Sequence, residues 1–90
     1  MDYEFRWNDW NLDHIAAHGI EWQDAEWIVR CARPPYPQEI GRGKYLVMGQ
    51  RPDGAYLQVI YIIDPGGTVF VLHARPLTDR ERRRFRRRKS

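Results

Sequence analysis

Residues 44–76 read KYLVMGQRPDGAYLQVIYIIDPGGTVFVLHARP. Two turn sequences, PDG at 52–54 and DPGG at 64–67, divide this stretch into three runs rich in Val, Ile, Leu and Tyr. Such runs are typical of β-strands, and short turns between neighbouring strands predict antiparallel hairpins. The middle run is apolar throughout 59–63, which predicts a central strand covered on both faces. The predicted strands are 44–51, 55–63 and 68–75.

Two helices are predicted before these strands. Asn8 can cap the first helix, whose buried side is expected to include Trp10 and Ile15. Gly19 can end this helix in a left-handed conformation, because it has no Cβ atom. The second helix is predicted from about 22 to 31, since apolar residues recur on one of its faces at spacings of three and four. The residues of that face are Trp22, Ala25, Ile28 and Val29.

The segments that flank the two helices are less regular. Residues 3–7 alternate aromatic and charged side chains, which predicts a short strand. Three prolines within 34–37 stop the second helix, because proline has no backbone N–H to donate. We therefore expect residues up to 43 to form an irregular loop or a poor edge strand.

The C-terminal end is strongly basic. Residues 80–89 hold eight of the fifteen Lys and Arg residues and one of the twelve acidic residues, so this end carries a net charge of +7 and the rest of the chain −4. Thr78 and Glu81 have the spacing of a capping box, which predicts a helix over about 79–88. A helix with one sign of charge suits a polyanion or an acidic protein partner.

Length and composition limit the class of protein. Ninety residues are enough for one domain, 1–90, with a modest core, and a hydrophobic content of 42% argues against intrinsic disorder. No apolar run approaches the roughly 18 residues that span a bilayer, so we expect no membrane partner. The first residues contain neither a basic nor an apolar signal region, which predicts a cytoplasmic protein. One cysteine excludes an internal disulfide framework, and three histidines beside it are too few for us to expect a structural zinc site.

Together these elements predict an α+β fold. Two N-terminal helices pack on a small, mostly antiparallel four-stranded sheet, and a basic helix follows at the C-terminus. The four strands are residues 3–7 and the three hairpin strands.

Several short motifs occur one after another along the chain. They are His18-Gly19-Ile20, Asp24-Ala25-Glu26, Tyr45–Gly49, Ala74-Arg75 and Leu77–Arg82. In this order they resemble the BrnT family of toxins from bacterial type II toxin–antitoxin pairs, over about residues 5–84. The resemblance implies a fold similar to that of the RelE-type ribonuclease toxins. It also implies an RNA-cleaving inhibitor of translation that is neutralised by a BrnA-like antitoxin protein.

His73 and Arg75 are the main candidates for such chemistry. Metal-independent RNA cleavage needs a base for the 2′-hydroxyl, a cation for the phosphoryl charge and an acid for the leaving 5′-oxygen, and no cofactor is expected. The two residues lie two positions apart on one predicted strand and therefore project from one face. They offer a group that titrates near neutrality beside a permanent phosphate ligand. The alternative is that His73 fills space and Arg75 pairs with an acid such as Asp79.

Arg51 is predicted as a third catalytic residue, since it would supply a second cation from a neighbouring strand end. The alternative is a solvated arginine. Tyr61 on the central strand is a phenol that can serve as an acid, but a central aromatic residue is expected mainly to pack. The face that Tyr61 occupies is left open, because the turn at 64–67 can close in either register.

Two further features have candidate roles outside this chemistry. His14 and His18 are four residues apart and share a helical face, but two ligands from one helix are a weak metal signal, so we favour structural roles and predict no metal site. Trp27 lies opposite the apolar face of the second helix, and we expect it to contact another chain.

The basic helix has two candidate partners. It can follow an RNA backbone, or it can bind an acidic stretch of the antitoxin, and both contacts are electrostatic and sensitive to salt. The residues predicted to bind RNA are Arg80, Arg82, Arg83, Arg86 and Arg87, of which Arg80 is also expected to assist catalysis.

Two functional hypotheses follow from the sequence. The first is a ribonuclease toxin whose chemistry centres on Arg75. The second is a non-catalytic RNA- or protein-binding module on the same scaffold. A DNA-binding repressor is less favoured, because no helix-turn-helix with a basic recognition helix is visible.

Overall fold

The structure is a computed structural model that describes the backbone of residues 3–89 and the side chains of residues 3–87. Met1 and Asp2 are part of the N-terminal segment in which no signal region is predicted, and they lie outside the described residues. The strands are β1 (Phe5–Arg6), β2 (Gln38–Gly41), β3 (Lys44–Gln50), β4 (Tyr56–Ile63) and β5 (Val69–Pro76). The helices are α1 (Asp9–Ala16), α2 (Trp22–Arg30) and α3 (Asp79–Lys89). The chain therefore has the predicted α+β class.

The sheet has five strands in the order β1-β5-β4-β3-β2. The pairs β2–β3, β3–β4 and β4–β5 are antiparallel, and β1 runs parallel to β5 with Phe5 opposite Val69. The predicted four-stranded sheet is therefore wrong in its strand number, and the sheet is mixed. The three hairpin strands are confirmed, and β4 is the central strand as predicted.

The additional strand is β2, in the segment that was expected to be a loop or a poor edge strand. Its pairing with β3 is closed by the two residues between Gly41 and Lys44. Arg42 and Gly43 both have positive φ, +57° and +73°, which is the backbone of the tight hairpin turn that matches strand twist. The prolines end at Pro37, so every residue of β2 keeps its backbone N–H for the sheet.

Both predicted N-terminal helices are present, with the expected ends. The Asn8 side chain accepts a hydrogen bond from the Asn11 backbone N–H at 3.2 Å and caps α1. Gly19 has a φ of +75°, and the following N–H of Ile20 donates to the carbonyl of Ile15 at 3.1 Å. The predicted burial is wrong for Trp10 and Trp22, the first-turn tryptophans of α1 and α2, which are 49% and 44% exposed.

The core lies between the two N-terminal helices and one face of the sheet, here called the helix face. Ile28 of α2 comes so close to Gly49 of β3 that a Cβ atom there would lie 3.2 Å from it. The sheet residues of this core include Val47, Leu57, Val59, Tyr61, Val71 and Ala74. The opposite face, here called the outer face, leaves Ile60 and Ile62 partly exposed, so the prediction of cover on both faces is wrong for this end of β4.

No helix within residues 3–89 is both long and apolar enough to cross a membrane.

Candidate functional site

His73 and Arg75 project together from the outer face near the end of β5. His73 lies opposite Ile60 and Arg75 opposite Gln58, while Ala74 between them is fully buried on the helix face. Cross-strand partners share a face of the sheet. The register shifts between Ile60 and Tyr61, so β5 contains one extra residue just before His73. Such a bulge re-aims the side chains that follow it.

His18 meets His73 on this surface. The centroids of the two imidazole rings are 5.1 Å apart, and the rings are nearly perpendicular. His18 lies in the turn after α1, where its backbone N–H donates to the carbonyl of Ile15. His14, one turn earlier, stacks on Trp10 at 4.0 Å, and its Nδ1 lies 3.1 Å from the Trp10 carbonyl. The fold thus brings all three histidines of the chain to one side of the molecule.

The surroundings of His73 favour the neutral imidazole. Its pKa is lowered from 6.5, mainly by burial and then by the positive charges of His18, Arg75 and His14. His73 is therefore largely unprotonated at neutral pH and able to accept a proton. A neutral imidazole can accept a proton as a general base, and the ring of His18 lies next to it.

Arg75 is held in an ion pair. Its two terminal nitrogens donate to the two carboxylate oxygens of Glu81 at 2.7 and 2.8 Å. The same nitrogens donate to the Pro76 carbonyl at 3.1 Å and to Gln58 Oε1 at 3.3 Å. The hydrogen bonds from Arg75 lower the pKa of Glu81 to about 2. The alternative interpretation of Arg75 thus describes the structure, with Glu81 in the place of Asp79.

These four hydrogen bonds use every N–H of the Arg75 terminal nitrogens. A phosphate could bind these nitrogens only by displacing one of the present partners, Glu81, Gln58 or the Pro76 carbonyl. Arg75 in this state is therefore a connector between β4, β5 and α3, and its positive field still reaches His73.

Arg51 lies away from this site. It follows the end of β3 and bonds Asp24 of α2 at 3.2 Å, on the helix face, and also Asp53 in the adjacent turn. The hydrogen bond from Arg51 lowers the pKa of Asp53 to about 2. The structure therefore brings together His73 and Arg75 but places Arg51 in a separate carboxylate cluster.

The basic helix α3 is anchored at two points. Thr78 and Glu81 form the predicted capping box, with the Thr78 N–H donating to Glu81 at 2.9 Å and the Glu81 N–H donating to Thr78 Oγ1 at 3.2 Å. Phe85 packs near the rings of Tyr56 and Tyr36, at centroid distances of 5.9 and 6.2 Å. The capping box and helix are confirmed, and the arginine side chains of α3 up to residue 87 are exposed.

The charges along α3 are largely unneutralised. Arg82 pairs with Asp79 one turn earlier. Among residues 3–87, no ion pair involves Arg80, Arg83, Arg84 or Arg86. These side chains give the helix a continuous positive surface that begins beside Glu81 and Arg75.

Two other predicted candidates occupy different surroundings. Tyr61 is 1% exposed on the helix face and stacks on Tyr45 at 5.4 Å, and burial raises its pKa to about 12. A phenol in that position is a core residue and lies on the face opposite His73. Trp27 is exposed, as expected, and its indole N–H donates to the Gln50 carbonyl at 3.2 Å.

The part of the chain that the structure describes contains no group of three His, Cys, Asp or Glu side chains placed to hold a metal ion. Cys31 is a free, exposed thiol.

The residue that sequence reasoning missed is His18. The spacing of His14 and His18 was visible, but its partner on β5 was not, because contact across the sheet edge depends on how α1 packs. The one signal for it is that the chain has only three histidines, the residue type whose ordinary pKa lies nearest neutrality.

No protein-family model, curated protein or solved structure matches this chain significantly. The likeness to BrnT toxins therefore rests on the sequence motifs alone.

Proposed function

We propose that this protein is a metal-independent endoribonuclease of the BrnT toxin type, with a RelE-like fold. The observation that supports the proposal is the meeting of His18 and His73 on an open face of the sheet, beside Arg75 and the start of a basic helix. Neither imidazole belongs to the hydrophobic core.

In the proposed reaction the two histidines divide the proton transfers. His73, with its lowered pKa, removes the proton from the 2′-hydroxyl as that oxygen attacks the adjacent phosphorus. His18 in its protonated form donates a proton to the leaving 5′-oxygen. The products are a 2′,3′-cyclic phosphate and a free 5′-hydroxyl. This assignment moves the chemistry from Arg75 to the histidine pair and leaves Arg75 as a positioning residue.

The positive surface of α3 is the proposed path for the RNA backbone. Its described arginine side chains are exposed, and Glu81 in its first turn binds Arg75. A helix of 11 residues extends for about 16 Å, the length of several phosphates along a single strand. In the toxin role, Arg80, Arg82, Arg83, Arg86 and Arg87 bind RNA, and a BrnA-like antitoxin in the cytoplasm blocks the same surface.

Expression of the chain alone in bacteria tests the proposal. We expect growth arrest, relief by His73→Asn, and cleavage of RNA by the purified protein with or without ribosomes. An unarrested culture together with intact RNA under both conditions would contradict it. Asn is the appropriate replacement because it keeps the size and polarity of the imidazole but cannot take up a proton.

One observation favours a second candidate, a non-catalytic RNA- or protein-binding module. Both strand-end arginines of the predicted site, Arg51 and Arg75, are occupied by carboxylates. A protein whose only task is to hold a polyanion on α3 would need no further free guanidinium. RNA binding that survives His73→Asn, with no cleavage by the parent, would identify this candidate.

A further inference from the structure

A cavity of about 420 Å³ lies at the edge of the sheet, away from the histidine pair. It lies between α2, the proline-rich loop, the end of β3 and α3. Its volume is within the range of ligand-binding clefts, ~300–1,000 Å³. The residues that line it include Trp27, Cys31, Arg33, Met48, Gln50 and Phe85.

One wall of this cavity is a strand edge with unused hydrogen-bonding groups. The pairing of β2 with β3 reaches only Leu46, so β3 has no neighbour on that side beyond it. The N–H of Arg51 bonds the Ala55 carbonyl, so odd-numbered residues of β3 face β4 and even-numbered residues face the open side. The N–H and C=O of Met48 and the N–H of Gln50 therefore point into the cavity, where no described residue bonds them.

The same edge is flanked by apolar surface above and below the sheet. Trp27 of α2 and Cys31, which follows that helix, lie on the helix face, and Phe85 of α3 with Met48 lies on the outer face. Side chains of an extended strand alternate between the two faces of a sheet. An added strand at this edge would therefore place successive side chains against α2 and against Phe85 in turn.

The charge that lines the cavity is positive. Among the described residues, Arg33 is the only charged one in its lining, and no described acidic residue pairs with it. Asp24 and Asp53 lie beyond Trp27, where both pair with Arg51. Phe85 is flanked in the chain by Arg84 and Arg86, which are exposed. A peptide that carries acidic residues beside its apolar ones would complement this rim.

We infer that this cavity is a docking site for an extended, acidic segment of a partner polypeptide, which adds to β3 as an edge strand next to Met48 and Gln50. Main-chain hydrogen bonds supply the affinity, as in other cases of strand addition, and the apolar surfaces beside Trp27 and Phe85 supply the specificity. The inference does not require the histidine pair to be catalytic, because no residue that lines the cavity belongs to that site, and it shares only Arg86 of the rim with the proposed RNA surface.

The probe for this site is a nine-residue synthetic peptide that alternates Glu with Val or Leu. Titrated into the full chain, it should bind and should slow hydrogen exchange at the N–H groups of Met48 and Gln50. Two matched peptides serve as controls, one with Lys in place of Glu and one N-methylated at every second amide. We expect each control to bind at least ten-fold more weakly than the acidic peptide.

Two variants separate binding from folding. Arg33→Glu changes an exposed side chain. It should weaken the binding of the acidic peptide and strengthen the binding of the peptide that has Lys in place of Glu. Trp27→Ala should weaken the binding of both peptides. Equal binding of the N-methylated and unmodified peptides, or no binding at millimolar concentration, overturns the inference. Displacement of the peptide by a short RNA oligonucleotide would assign the cavity to RNA and also overturn it.

Discussion

Arg75 shows how the partners of a single residue decide its role. A free guanidinium beside a histidine is suited to bind phosphate. The Arg75 guanidinium instead donates two hydrogen bonds to the Glu81 carboxylate, and this ion pair has a structural role. The pair links the end of β5 to the first turn of α3, and Glu81 also closes the capping box. The same carboxylate therefore fixes both the start of the basic helix and the direction of Arg75.

The first prediction concerns the ion pair between Arg75 and Glu81. Arg75→Ala leaves the Glu81 carboxylate without its partner and is expected to lower the free energy of unfolding by roughly 1–2 kcal/mol, because the pair is largely shielded from water. Arg75→Lys keeps the charge but loses the bidentate contact, so its loss should be smaller. Urea unfolding measures both. Full retention of stability by Arg75→Ala would show that the ion pair contributes nothing to the fold.

The second prediction follows from the pKa of Glu81. Its folded value is about 2, below the ordinary value of 4.5, so its contribution to stability is present above pH 4.5 and is lost as the pH falls toward 2. The loss of stability over this range should be smaller in Glu81→Gln, although Asp53 and Asp64 titrate in the same window in both proteins. Unfolding curves at several pH values give the dependence of stability on pH for the parent and for Glu81→Gln. The same dependence in both proteins would contradict the prediction.

The third prediction concerns His73 in the proposed reaction. Since its pKa lies below 6.5, kcat/KM for RNA should rise with pH along a limb centred below that value. Replacing Arg75 by a neutral residue removes one of the charges that depress this pKa, so the limb should move toward higher pH in Arg75→Gln. A limb at the same pH in Arg75→Gln as in the parent would show that Arg75 does not lower the pKa of His73.

At the scale of elements, α3 combines a fixed start with a free, positively charged surface. Capping, the Arg75–Glu81 pair and Phe85 hold the helix, while several arginines have no described acidic partner. A surface of this kind binds a polyanion mainly through the release of counterions.

The fourth prediction tests that surface. Replacing Arg83 and Arg86 together by Ala should weaken RNA binding and reduce the slope of log Kd against log salt by about 0.7 for each lost contact with single-stranded RNA. Arg30→Ala is the matched control, since Arg30 lies on α2 and is paired with Glu26. An unchanged slope in the double variant would exclude α3 as the RNA surface.

The elements also show what local sequence decides. The caps at Asn8 and Thr78 and the left-handed Gly19 were predictable, because each depends on side chains or backbone within four residues. Strand β2 was predicted only as one of two alternatives, a loop or a poor edge strand, because its short polar sequence forms a strand only through pairing with β3. The meeting of His18 with His73 was hidden for the same reason, since it depends on the packing of α1 against β5.

At the scale of the whole molecule, the sheet has two unlike faces. The helix face is closed by α1 and α2, and the outer face carries the histidine pair, Arg75 and partly exposed isoleucines. Alternation along the strands predicts two faces, but the continuous apolar run of β4 masks which of them is covered. This is why Tyr61 could not be assigned to a face before the packing of the helices was known.

The fifth prediction compares two residues of β4. Val59→Ala removes buried methyl groups from the closed face and should cost about 2 kcal/mol of stability. Ile63→Ala removes a larger group, yet it should cost less, because Ile63 is 46% exposed at the end of the strand. Thermal unfolding of both variants measures the two losses of stability. A larger loss for Ile63→Ala than for Val59→Ala would contradict the assignment of the core to the helix face.

The chemistry of the cleaved ends is the most direct test of the histidine pair. The purified parent, incubated with RNA in the presence of EDTA, should produce 2′,3′-cyclic phosphate and 5′-hydroxyl ends. His18→Asn and His73→Asn should each reduce the rate by about 100-fold or more, the scale of a lost acid or base. Cleavage at the parental rate by the His18→Asn, His73→Asn double variant, or products with a 5′-phosphate, would contradict the account.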